Sequence, residues 1–176
     1  MAISIFDHVV VPMTRMLTNL DRIVGKAEQY ADEQKIDPDV LVQGRLYPNM
    51  LPFVGQVRIA TDTAKGAAAR LTGTENPKWP DEERTFADIH ARIAKATGFL
   101  ATFRAEQFEG ADRRNIELKL GSHEVRFTGT AYITGYVMPN FYFHVTTAYA
   151  ILRHNGVALG KGDYIGLTDF SEAANW

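Results

Sequence analysis

The 176-residue chain predicts an all-α fold: four long helices, with one small antiparallel β-hairpin set between the third and the fourth. Three observations predict it. Apolar residues recur every three or four positions through four separate stretches, which is the period of an amphipathic helix. Between Arg114 and Thr128 the period drops to two, which is that of a strand. The first helical stretch would reach roughly 45 Å at about 1.5 Å per residue, a length more typical of a bundle than of an α/β domain.

From Ile3 to about Glu33 the apolar positions are Phe6, Val10, Met13, Leu17, Leu20 and Val24, while Arg15, Asp21, Arg22, Lys26 and Glu28 point elsewhere. Pro12 falls inside this first helix, so a kink near it or a break just before it is expected. Asp37-Pro38-Asp39 ends the pattern, and Val40 to Leu46 reads as a connector. A second helix is signalled from Pro48 to Leu71, with Met50, Val54, Val57, Thr61, Ala64, Ala68 and Leu71 on one stripe and Gln56 beside it, in line with Phe53, Ala60 and Ala67. Its alanine-rich second half allows a neighbouring helix to approach closely, and Gly73 stops it. Thr74 to Glu83, with two prolines around Trp79, reads as a crossover loop, which suits a bundle whose neighbouring helices are not all antiparallel.

Thr85 and Asp88 make a capping pair for the third helix, whose seam is Phe86, Ile89, Ile93, Ala96, Leu100 and Phe103. It fades by Gln107 to Gly110. If Gly121-Ser122 is a two-residue turn, Ile116 falls opposite Phe127 and Leu118 opposite Val125 on one face. The same register sets Glu117 against Arg126 and Lys119 against Glu124, so both cross-strand charge pairs have favourable signs. A lone hairpin is marginal in water, so its apolar face must rest on the bundle or on another subunit. Thr130 to Val137 leads as a short helical turn into the fourth helix. There Pro139 suits a first position, Phe141, Val145, Ala148, Ile151 and Leu152 face inward, and Arg153 and His154 close a last turn before Asn155-Gly156. The tail from Leu167 to Trp176 has no strong period, and its order depends on where Phe170 or Trp176 docks.

One domain over residues 1–176 is expected from this length. With 45% apolar and 23% charged residues, 19 basic against 21 acidic, and no basic block, the chain lacks the electrostatic footprint of a nucleic-acid or anionic-membrane partner. There is no cysteine, which excludes disulfides and thiolate ligands or nucleophiles. No apolar run is long enough to span a bilayer, and the N-terminus has no signal-peptide pattern, so a cytoplasmic location is expected. The stretch GVALGKGD, from Gly156 to Asp163, does not have phosphate-loop spacing. It reads as a turn-rich connection in which Lys161 and Asp163 pair or reach back to the helix end.

Three blocks of sequence carry a family resemblance: LYPNMLPFVGQV at Leu46 to Val57, NFYFHVTTAYAILRHNGV at Asn140 to Val157, and LGKGDYIG at Leu159 to Gly166. With the long helices in order around them, the chain resembles a bacterial family of unknown function grouped with the DinB-like four-helix bundles. The resemblance implies a divalent metal, held by one His from the second helix and a His-x3-His pair from the fourth. It also implies a small thiol as co-substrate in some members, and a homodimer. Here His144 matches the first His of the fourth-helix pair, Ala148 stands four residues later, and the second helix has no His, with Gln56 its nearest polar residue.

His144 lies between Phe141 and Ala148 on the inward stripe, so it is expected to be buried at the centre of the chain's one polar pocket, facing Gln56. Thr146, Thr147 and Tyr149 can supply hydroxyls, and Tyr47 and Asn49 share the region if the second and fourth helices touch. The plainer roles are a histidine held by hydrogen bonds, threonines bonded back to their own helix, and tyrosines at the surface. His154 is about 15 Å along the helix from His144 and cannot share an ion with it. Two functions stay open. One is a metal- or thiol-dependent enzyme with a pocket around His144. The other is a non-catalytic bundle that binds a small ligand or a partner. The aromatic-rich fourth helix and the hairpin face also favour a homodimer.

Overall fold

The computed structural model describes residues 4–167, apart from the side chain of Leu120. The expectation for Phe170 and Trp176 lies outside the described residues. The first helix, α1, spans Ile5–Gln34, and Ser4 caps it by exchanging hydrogen bonds with Asp7. Val10, Met13, Leu17, Leu20 and Val24 are buried along one face, as their spacing requires. No break occurs at Pro12. The proline deprives the carbonyl of His8 of its helical partner, and because His8 is exposed, water can serve that oxygen instead.

The connector contains a one-turn helix, α2 (Pro38–Val42), that the sequence reading missed. Asp37 is its N-cap and Pro38 its first residue, and Leu41 and Val42 are buried by it. The second long helix, α3, spans Phe53–Thr72 and so starts five residues later than Pro48. Pro52 explains the shift: it lacks an N–H and disfavours helical geometry at Leu51, so a helix cannot run on smoothly from Pro48, and α3 starts afresh with Pro52 as its cap. Residues 43–52 form a loop instead. It is fastened where Phe53 N–H donates to Gly44 O (2.8 Å) and the Arg45 guanidinium donates to Met50 O.

The third long helix, α4, spans Phe86–Leu100, with the expected Thr85 and Asp88 capping box. Its directions follow from its contacts. Arg58 and Thr61 of α3 meet Glu83 and Arg92, so α3 and α4 run the same way, and residues 73–85 carry the chain back between them. Phe6 of α1 meets Phe108, while Asp21 meets His90, so α1 runs against α4. All six seam residues from Phe86 to Phe103 are buried.

After two short 3-10 turns (Ala105–Phe108 and Ala111–Arg113), strands β1 (Asn115–Leu120) and β2 (His123–Thr128) pair in the expected register, with Leu118 opposite Val125 and Glu117 opposite Arg126. The outer pair closes an ion pair at 2.9 Å. The hairpin's apolar face is covered by its own chain. Ile116 and Leu118 are buried, and the Phe127 ring lies 5.9 Å from Tyr132 and 6.1 Å from Tyr136. The chain then winds through α5 (Gly129–Tyr132) and a π-helical stretch (Ile133–Val137) into α6 (Met138–His154) without a break. On α6, Asn140 and His144 reach Thr63 and Gln56, so α6 runs against α3.

The glycine-rich connection holds a further one-turn helix, α7 (Lys161–Ile165). Asp163 pairs across the fold with Lys26 of α1, not with its neighbour Lys161. The two opposite charges on facing elements hold α7 against α1, and Asn19 adds a hydrogen bond to Tyr164 O at 3.1 Å.

Candidate functional site

The site is built where the first turn of α3 faces the first half of α6. Small residues on both helices, Ala60 and Ala148 among them, are fully buried and let the two helices approach. His144 Nδ1 lies 2.7 Å from Gln56 Oε1, and Gln56 Nε2 donates to Leu51 O at 3.0 Å. The second bond fixes the first: with the amide nitrogen turned to a carbonyl, the amide oxygen faces the imidazole, so Nδ1 carries the ring proton. His144 is 8% exposed and Gln56 2%. Burial holds the imidazole below its ordinary titration range, which keeps it neutral at pH 7. The Phe143 ring stands edge-on to His144 at 5.2 Å.

The other candidate residues divide. Thr147 is buried one turn beyond His144, and its hydroxyl donates to Phe143 O at 2.7 Å, bonding back to its own helix. Tyr149 lies about 140° around α6 from His144 at 100° per residue, and its ring packs against Tyr164 at 5.8 Å. Thr146 shares that direction, its hydroxyl 2.9 Å from that of Tyr164. Tyr47 is 63% exposed in the loop whose Leu51 carbonyl receives Gln56. His144, Gln56 and that loop therefore form one assembly. Thr147, although near, has its hydroxyl engaged, and Tyr149 belongs to a different face.

The residues do not fit the metal that the resemblance implies. Ala148 is fully buried where a second imidazole would stand, and among the described residues no three His, Cys, Asp or Glu side chains converge. The remaining histidines are placed elsewhere: His90 bonds Asp21 at 2.6 Å between α4 and α1, and His8, His123 and His154 are exposed. An open cleft of about 900 Å³ lies elsewhere, walled by the end of α1, the start of α2 and the start of α4, with Glu28, Asp32, Lys35, Asp39 and Arg84 on its rim.

The sequence reading missed Arg92. Its side chain is 2% exposed and reaches Glu83 (2.8 Å), Asp62 (3.1 Å), Asp81 (3.1 Å) and Thr61 (3.1 Å). The signal was present, since Arg92 stands three residues after Ile89 on the buried seam.

This order of helices, with a hairpin before the last long one, defines a DinB-like helical bundle. The chain belongs to the family described as Domain of unknown function (DUF1993), whose model matches residues 5–165. It is similar to a DinB family member protein from Shewanella denitrificans, known from its crystal structure. The two are 40% identical with a TM-score of 0.84, and the match covers 94% of this chain and 93% of that one. No curated protein matches it. No helix among the described residues is long and apolar enough to cross a membrane.

Proposed function

We propose that this DinB-like bundle works by binding a small, largely apolar ligand on the face above His144 and Gln56, without a metal and without catalysis. One observation carries the reading. Of the six large hydrophobic side chains left exposed among the described residues, Leu46, Tyr47 and Leu51 lie in the loop that receives Gln56, and Phe143 packs on His144. Exposed apolar side chains on two elements that the His144–Gln56–Leu51 bonds tie together favour an interaction surface, whereas scattered single ones do not. The incomplete metal donor set supports the same reading. A single domain over 1–176, a cytoplasmic location and a homodimer belong to the proposal as well. The motive for the homodimer is the aromatic-rich α6, because the hairpin's apolar face is covered by its own chain.

The test is a titration with toluene followed by amide NMR. Shifts are expected at Phe143, His144, Gln56 and the 46–51 loop, and Phe143→Ser with Leu51→Ser is expected to remove them. Absence of any shift, or shifts confined to the cleft beside α2, would contradict the assignment.

A further inference from the structure

We infer that Nε2 of His144 is a hydrogen-bond acceptor presented to an uncharged ligand carrying one O–H or N–H on an apolar body, of the kind found in phenols, alcohols and simple amides. The inference rests on the binding reading above and specifies its ligand. Gln56 is held by Leu51 O, so it can only accept from the imidazole, and the ring proton resides on Nδ1. Nε2 is then left with its lone pair.

That lone pair has no hydrogen-bond partner among the described residues, yet the atom is not sealed. Among the described residues, the buried side-chain nitrogen and oxygen atoms without a hydrogen bond are Asp62 Oδ1, Asn76 Oδ1, Arg92 Nη2 and Arg114 Nε, and His144 Nε2 is not one of them. The small exposed part of His144 therefore includes Nε2. A histidine serving only to brace two helices needs the Nδ1 contact and nothing more. An open acceptor beside the half-exposed Phe143 ring goes beyond that role.

The charge of the ligand follows from what surrounds the ring. Burial alone displaces the imidazole from its ordinary titration, with no neighbouring charge contributing, and α6 carries no ionisable acid or base between Met138 and Leu152 apart from its tyrosines and His144 itself. The charged side chain of the facing loop, Arg45, is turned to Met50 O, so an ionic ligand beside the ring would lose its hydration without a counter-charge aimed at it. A neutral donor loses little and satisfies Nε2.

The experiment compares phenol with toluene on protein labelled with 15N at histidine. Phenol is expected to bind roughly three- to tenfold more tightly than toluene, the worth of one net hydrogen bond. It should move the Nε2 resonance, which toluene leaves in place. His144→Phe should abolish the difference while toluene still binds. The free protein provides a check that needs no variant: its spectrum should show a protonated Nδ1 and a bare Nε2. Equal affinities with an unmoved Nε2, or a proton found on Nε2, would overturn the inference and leave the binding reading standing. Failure of both compounds to bind would overturn both.

Discussion

Replacing Arg92 by alanine is expected to cost about 3–5 kcal/mol of folding stability, the usual penalty for removing one partner of a buried, hydrogen-bonded charge network. Arg92 ties α4 to α3 through Asp62 and Thr61, and ties both helices to the returning loop through Glu83 and the carbonyl of Pro80. Its guanidinium also lies 5.9 Å from the centre of the Trp79 ring. Without it, Glu83 keeps only Arg58 and Asp62 only Lys65 as ion-pair partners, and the Glu83 carboxylate, 13% exposed, stays where water is scarce.

The pH dependence gives the loss a signature. Burial pushes the Glu83 carboxyl up, but hydrogen bonds from Arg92 and Arg58 outweigh it and hold the group below the usual carboxylate range. A depressed carboxylate adds stability above its unfolded pKa and loses it as pH falls through the folded one. The gap between wild type and Arg92→Ala, read by urea unfolding, should therefore be widest near neutral pH and narrow on acidification. A gap under about 1 kcal/mol at pH 7 would show that the network is no more than a surface set of charges.

Gly129→Ala is expected to be comparably damaging, for a different reason. A Cβ at this buried position would stand 1.6 Å from the carbonyl oxygen of Ala111 and 2.8 Å from its carbon. Both are backbone atoms, so no side chain can swing away. The return leg of the hairpin would have to lift from the 3-10 turn beneath it, taking the buried Tyr132 with it. We expect a loss of about 3 kcal/mol, the upper range for overpacking a core site. Gly98→Ala is the control. Nothing lies within 4 Å of its Cβ position on α4, and alanine there should stabilise by about 0.5–1 kcal/mol. Equal, small effects at the two glycines would contradict the packing described for Gly129.

These two residues show where sequence reasoning stopped. The helices and the hairpin register were legible because each depends on local period: one turn of two residues fixes every cross-strand pair that follows. The start of α3 was not, because Pro48 and Pro52 both look like helix starts and only the fastening of the intervening loop decides between them. The Asp37-Pro38 pair was read as a stop although the same two residues start α2, since one residue pair serves both purposes. His144 facing Gln56 could be anticipated from two stripes. The Leu51 carbonyl that orients Gln56 could not, because it comes from a loop whose path has no period. Arg92 was hidden in plain view, a charge on a buried seam whose partners lie on α3 and in the crossover. For Gly129 no signal existed, because its necessity comes from a backbone eighteen residues earlier in the chain.

A binding site at His144 that works without a metal should leave the protein metal-free under every condition that would load a transition-metal site. The direct test is metal analysis of protein purified without a metal-affinity tag, before and after equilibration with zinc, nickel or manganese and removal of excess ion. Well under one ion per chain is expected in each case, with no rise in melting temperature with any of the three ions, because one imidazole and one amide do not make a transition-metal site. One tightly held ion per chain that disappears in His144→Ala would contradict it.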